Sequence, residues 1–355
     1  MRTNKTIGFA DLAAARRIKK EDFLTHINKI IDWRPVGNII NKNYQKGKSH
    51  TGRPAYDGLL LFKICLLQNW YNLSDYEAEE RINDSLSFSH FLGLSLEETA
   101  PDHSVICRFR GEIVEKGIFE KLFKALNKQL EKHKIIVKKG VLIDASITNS
   151  HFWPNAKPDL ELVPVDREED EEVVKKLEEP KEKPKAKEQI ISSGDTEARF
   201  SRKRGELHFG YKKHVATDEQ GLVLGLVTTP ANISDTTQLA QILATFEVKK
   251  WTRIKADKGY KSAKNDEILK KLALKNGIMH KKKKGKKIGI WEDKFNKLIS
   301  KTRYRIERTF GSIKSWFGGG KTRYRGLKKT HAQHLLEAMA YNLYRVPRIA
   351  MSIPV

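Results

Sequence analysis

Three acids stand where chemistry could be done: Asp144 closes the apolar run Val-Leu-Ile-Asp, Asp257 lies in Ala-Asp-Lys-Gly-Tyr, and Glu307 sits in a late helical segment. An acid at a strand end is often a turn-former, and a helical Glu is usually solvated. Asp144, however, belongs to a run otherwise built for burial, and Asp257 is followed by Gly259, which would allow close backbone approach. The spacing Arg303, Glu307, Gly311, Lys314 is an independent signal. At about 100° per residue these positions fall within roughly 40° of one direction, so all four share one helix face. Two readings stay open. One is an ordinary i,i+4 Arg-Glu pair worth about 0.2–0.5 kcal/mol; the other is a metal-binding carboxylate between two phosphate-binding cations.

Further basic groups cluster nearby in sequence. Lys281, Lys282, Lys283 and Lys284 open the run KKKKGKK just before the late helix, and Arg323 and Arg325 follow it in KTRYR. Both segments suit phosphate contact or a plain solvated surface, and their position beside the acidic helix favours DNA. His331 and His334 have no acid or thiol at ligand spacing and read as packing residues, as do His208 and His214. Trp153, Trp251 and Trp316 are candidates to stack on a base. Cys65 and Cys107 lack a CxxC partner and read as reduced core residues.

The elements that must hold these groups follow from the hydrophobic period. Asp57 to Trp70 is apolar nearly all round, so it is expected to be a buried helix, and Ser74-Asp-Tyr-Glu77 is a capping box opening the next. Pro101-Asp102 caps another helix running to Gly117, and Ile118 to His133 repeats its apolar residues at helical spacing. Residues 1–135 are therefore expected to form an all-α domain. From 138 the pattern becomes β: strands are expected at 141–145, 208–217, 222–229, 252–257 and 277–280, with helices at 234–246, 263–275 and 291–316. The order β, ββ, α, β, α, β, α predicts a second domain over 138–345, an α/β unit with a mixed five-stranded sheet and helices on both faces. The run at 166–190 is crowded with charge and has almost nothing to bury, so it is expected to be a disordered insert.

Composition narrows the partners. The 355 residues are 39% hydrophobic and carry a formal net charge of +24, with 68 Lys+Arg against 44 Asp+Glu. Asp166 to Glu188 holds ten acids and seven bases, so the rest of the chain carries +27. Such an excess favours a polyanionic partner, nucleic acid first. No run is apolar and long enough to span a bilayer and no secretory signal opens the chain, which predicts no membrane role and a cytoplasmic location.

Taken together, LIDAS around Asp144, ADKGY around Asp257 and RYRIERTFGSIK from Arg303 through Glu307 to Lys314 resemble the DDE signature of bacterial insertion-sequence transposases. Residues 53–82 and 101–110 resemble the InsH-type N-terminal domain of the insertion sequence five family, and 210–239 resemble that family's second and third strands and following loop. The resemblance implies a ribonuclease-H-like catalytic domain in which Asp144, Asp257 and Glu307 hold two Mg²⁺ ions, with Mn²⁺ able to substitute. Transfer of a phosphodiester needs an activated nucleophile and a stabilised leaving oxygen, and hard cations on carboxylates supply both. It further implies double-stranded DNA as partner, namely the element's terminal inverted repeats and target DNA, with a homodimer on paired ends in the bacterial nucleoid. One departure is Ser300, where related families often carry Tyr; Tyr304 lies on a different face. Carboxylates gathered for a metal repel one another without it, so Asp257→Asn is expected to leave metal-free stability unchanged or raised. The competing readings are a ribonuclease-H-like nuclease or resolvase without strand transfer, and a domesticated DNA-binding protein.

Overall fold

The computed structural model describes residues 22–44, 55–154, 160–164, 188–192, 194–203, 205–282 and 288–350. The helical region comes first: α1 (Phe23–Ile30), α2 (Trp33–Asn43), α3 (Gly58–Tyr71), α4 (Asp75–Asp84), α5 (Leu86–Leu92), α6 (His103–Glu115) and α7 (Ile118–Lys132). Local chemistry starts them: the side chains of Asp22, Asp32, Asp57, Ser74, Ser85 and Asp102 each accept an N–H of the first turn. At α4 the capping box expected from sequence is complete, with Ser74 N donating to Glu77 Oε2 (2.7 Å) and Glu77 N to Ser74 Oγ (3.2 Å). Gly117 does more than stop α6; in the left-handed region (φ 60°) it reverses the chain into α7.

The sheet is mixed. Strands β1 (Gly140–Asn149), β4 (Arg199–Lys203), β5 (Glu206–Thr217), β6 (Val223–Pro230), β7 (Arg253–Ala256) and β8 (Lys275–Ile278) form it. β5 runs antiparallel to β1, β6 pairs antiparallel with the second half of β5, and β4 with its first half. On the other side β7 is parallel to β1 and β8 parallel to β7. Six strands thus replace the expected five, because Arg199–Lys203 pairs with the start of β5. That pairing is a tight hairpin, with Lys203 opposite Glu206, but the segment has no alternating apolar pattern to announce it. A separate hairpin pairs β2 (Leu160–Pro164) with β3 (Glu188–Ser192), so the expected insert at 166–190 ends inside a strand; its residues 166–187 lie outside those described.

After β6 the chain turns through a 3-10 segment (Asp235–Gln238) into the short α8 (Leu239–Ala244), and α9 (Ala263–Lys271) follows β7. The helix expected over 263–275 stops earlier because Ala273 adopts φ 52°, which frees 275–278 to pair as β8. Two long helices complete the chain, α10 (Ile290–Trp316) and α11 (Leu327–Ala350). α11 packs against β6 and also against α3 and α7, so one hydrophobic core runs from Leu24 through the sheet to Ile349. Its polar seams are filled: Trp70 Nε1 donates to Ala340 O (2.9 Å), and Asn342 Nδ2 donates to Asn127 Oδ1 (3.0 Å) and Val223 O (2.8 Å). Cys65 is buried as expected, whereas Cys107 is exposed, because α6 turns Ile106, Phe109 and Ile113 inward and Cys107 away from them. Among the described residues no helix is long and apolar enough to cross a membrane.

Candidate active site

Asp144 lies in the middle of β1 and not at its end, opposite Val215 of β5, since β1 continues five residues further. Its carboxylate is anchored by Ala145 N (2.9 Å). Asp257 follows β7 directly and caps the 3-10 turn Lys258–Tyr260, with Oδ1 accepting from Lys258 N (2.7 Å). Glu307 lies seventeen residues into α10. Three elements far apart in sequence are thus brought to one place by the parallel β1/β7 pair and by α10 lying across β1.

Their meeting point is Arg303. Its guanidinium donates to Asp144 Oδ2 at 2.8 Å and stands 3.4 Å from Asp257 Oδ1 and 3.6 Å from Glu307 Oε1. The helix face read from the spacing is therefore real, and its Arg is turned onto the acids. The side-chain exposures are graded, 16% for Asp144, 20% for Arg303, 32% for Asp257 and 59% for Glu307, so the first pair is largely desolvated and Glu307 stays in water. Burial pushes Asp144 above the usual carboxylate range against the pull of Arg303. Arg303 is likewise penalised by burial, but Asp144 first, then Asp257 and Glu307, outweigh this and hold its charge. Its Nε is buried without a partner among the described residues.

The turn that carries Asp257 is clasped from behind. Thr236 Oγ1 donates to Gly259 O (2.7 Å), and Asn265 Nδ2 donates to Tyr260 O (2.6 Å) and Thr236 O (2.9 Å). Beneath it Tyr260 packs against His214, whose Nδ1 is 3.3 Å from the phenol oxygen and whose Nε2 is 3.0 Å from Thr229 Oγ1. Asp235 completes this layer, accepting from Lys212 Nζ (2.9 Å). Sequence reasoning did not find these supports; no local pattern links 212, 235 and 265, which only the fold brings together.

The donors fit a hard cation: three carboxylates already aim at one positive group, and with all three ionised a single guanidinium leaves the cluster two charges short. As they stand the three are spread around Arg303. Among the described residues the only trio of potential ligands whose atoms lie within 4.8 Å of one another is Glu79, Asp102 and His103, where Glu79 Oε2 is instead engaged by His103 N (2.8 Å) as part of a helix start.

The other sequence candidates are dispersed. Lys314 is exposed two turns along α10 from Glu307, beside the end of β1. A side chain at Gly311 would meet nothing within 4 Å, so that face is open between Glu307 and Lys314. Lys281 and Lys282 are exposed ahead of α10, and Lys283 and Lys284 lie outside the described residues. Arg323 donates to Leu73 O (3.2 Å) and Asn72 Oδ1, tying the 321–325 loop to the helical region, while Arg325 stacks over Phe152 at 3.9 Å. His334 is buried between Thr228 Oγ1 (2.8 Å) and Thr148 Oγ1 (3.1 Å), a packing role. Trp153, Trp251 and Trp316 are exposed.

Residues 167–343 match the family model described as Transposase DDE domain, and residues 12–112 match the one described as Transposase domain (DUF772). The chain thus carries a transposase DDE domain behind a helical transposase domain. Domains of this class belong to polynucleotidyl-transferase enzymes that act on DNA with divalent metal ions. Asp257, Arg303, Glu307 and Lys314 fall inside the DDE match and Asp144 before it. No solved structure matches the chain significantly.

Proposed function

We propose that this chain binds the terminal repeats of an insertion sequence of the insertion sequence five family, cuts at their 3′ ends and joins the freed hydroxyls to target DNA, acting as a homodimer on paired ends. The observation that carries this reading is the convergence of Asp144, Asp257 and Glu307 on one cation, Arg303. The strand order β6-β5-β1-β7-β8, antiparallel on one side of β1 and parallel on the other, supports a ribonuclease-H-like assignment of the 138–345 unit. The N-terminal unit, whose described residues 22–44 and 55–135 are largely helical, would supply DNA contacts.

Asp144, Asp257 and Glu307 would hold Mg²⁺. When bound, such ions activate the attacking oxygen and stabilise the leaving one. The chain's own groups do the rest. Asp144 and Asp257 keep their geometry because each has one oxygen tethered to a neighbouring backbone N–H. Glu307 is free to swing because it is exposed on a helix face. Arg303 offsets part of the acids' charge while DNA is absent and lies where it can turn to a phosphate beside the cut. Lys314 would hold the same strand further along the face.

The test is cleavage and strand transfer with end DNA in Mg²⁺, using pre-cleaved ends to separate joining from cutting. Asp144→Ala, Asp257→Ala and Glu307→Ala should each abolish both reactions and leave end binding within a few fold. More than a tenth of wild-type activity in any one variant removes that residue from the site. Cutting without joining would favour a nuclease or resolvase instead.

A further inference from the structure

Beyond the acids, α10 and β1 run on together to a cleft of about 410 Å³ lined by Ile147, Asn149, Lys203, His208, Lys314 and Gly320, with Glu206 at its rim. Four elements build it. Asn149 ends β1, His208 comes from the start of β5, and Lys203 ends β4, the strand that pairs with β5 just there. Lys314 reaches in from α10, seven residues past Glu307, which is about 10 Å along the helix at 1.5 Å per residue.

The charge in this cleft is unbalanced. Among the described residues neither Lys314 nor Lys203 has an ion-pair partner, and Lys213, whose charge also reaches Lys314, is already held by Glu337 at 2.9 Å. Partial burial, then Lys213 and Lys203, push the Lys314 ammonium below its ordinary range, so the cleft gathers cations closely enough for them to feel one another. Among the described residues the only carboxylate lining it is Glu206, 82% exposed and 3.9 Å from His208 Nε2. Such a concavity is short of an anion. It also carries directional groups: His208 Nδ1 and Asn149 Oδ1 are 3.1 Å apart, and that pairing leaves the Asn149 amide nitrogen as a donor and His208 Nε2 as an acceptor.

We propose that this cleft is a nucleotide subsite for the strand being cut, with Lys203 and Lys314 on the phosphate next to the scissile one and Asn149 and His208 against the edge of its base. The assignment rests on the proposed DNA-end chemistry and adds Lys203, Asn149 and His208 to it. Lysines beside a phosphate contribute affinity without sequence preference, whereas an amide and an imidazole on a base edge contribute discrimination. The two pairs of residues should therefore fail in different ways.

The test is binding of a duplex of the element's terminal repeat in chelator, so that no chemistry intervenes. Lys203→Ala and Lys314→Ala should each flatten the dependence of log K on log salt by about one unit. In a series of duplexes with single phosphates replaced by neutral methylphosphonate, one position near the cut should weaken wild type several-fold and leave Lys203→Ala unaffected. His208→Ala should keep the wild-type salt slope and lose several-fold discrimination at one base position. If Lys203→Ala keeps the wild-type slope and responds to every methylphosphonate as wild type does, the subsite is wrong. A parallel arm separates that failure from failure of the function: Mg²⁺-dependent cleavage and strand transfer by wild type, both absent in Asp144→Asn, keep the transposase reading while the subsite falls. Wild type that prefers end DNA no more than random DNA sinks both.

Discussion

Removing Arg303 should expose what the three acids are for. In the free protein its guanidinium sits within 3.6 Å of all three, so Arg303→Ala leaves Asp144 and Asp257 facing each other without a counter-charge. Breaking a buried pair costs about 3–5 kcal/mol. Asp144 at 16% exposure and Arg303 at 20% come near that case, while Asp257 at 32% is partly screened and Glu307 at 59% contributes little. Discounted for that exposure, the loss in chelator should be about 2–3 kcal/mol. At about 2–4 °C per kcal/mol for chains of 150–250 residues, and somewhat less for a longer one, Tm should fall by several degrees.

Divalent metal should then reverse the loss. A cation that binds only the folded state stabilises by RT ln(1 + [L]/Kd), about 2.7 kcal/mol at a hundredfold excess over Kd. In wild type that cation must compete with Arg303; in Arg303→Ala it finds the charge gap open. Thermal melts of both proteins in chelator and across a Mg²⁺ titration read this directly, with Arg303→Lys expected to lie between them. Equal melting in chelator, together with equal Mg²⁺ shifts, would refute the view that Arg303 stands in for the metal. The same contact changes the outlook for Asp257→Asn. Mutual repulsion predicted unchanged or raised stability, but with Arg303 among the acids the substitution also removes a 3.4 Å attraction. A loss of under about 1 kcal/mol in chelator is expected, with a smaller Mg²⁺ shift than wild type; a drop of 3–5 kcal/mol would make Asp257 a structural residue.

Two further expectations concern the scaffold. Burial pushes the imidazole of His214 down to about 4, with Asp235 opposing and Lys212 assisting. Unfolded His214 takes its proton near pH 6.5 and the folded form does not until about pH 4, so its contribution is complete above pH 6.5 and is lost as pH falls through that window, by up to about 3 kcal/mol. Denaturation at pH 7.5 and pH 5 should show a shallower acid loss in His214→Gln, and an unchanged loss would mean that other groups dominate. Lys213 and Glu337 form an ion pair with 2% and 1% side-chain exposure, so Glu337→Ala, which strands the Lys213 charge, should cost about 3–5 kcal/mol, while Lys213→Met with Glu337→Leu recovers most of it. A cost under about 1 kcal/mol for Glu337→Ala would show that water reaches the pair.

What could be read beforehand follows from how far each signal travels along the chain. A helix face repeats every three or four residues, so the spacing 303, 307, 311, 314 placed Arg303 and Glu307 on one side, as their 3.6 Å separation bears out. The β-branched run marked β1, but its extent depends on β5 and β7 pairing with it, and the run itself ends before Ser146; hence Asp144 was expected at a strand end and lies at its middle. β4 carries almost no pattern, since as an edge strand it gives only Phe200 to packing, against Phe209 at 4.8 Å, and the cleft it helps to form was invisible for the same reason.

The acids themselves show the limit most clearly. Residue type and spacing establish that three carboxylates and an arginine share a region, and this is equally true of a set arranged for phosphate and a set arranged for one another. Deciding between them requires a distance across 159 residues of chain, Arg303 to Asp144 at 2.8 Å, which no periodicity encodes. Once that distance is known, the arginine read as a phosphate ligand becomes the resident counter-ion of the acids. It can serve DNA only by leaving them, and the acids then need another cation. Metal affinity and DNA affinity should therefore rise together in this protein, each releasing the group that the other requires.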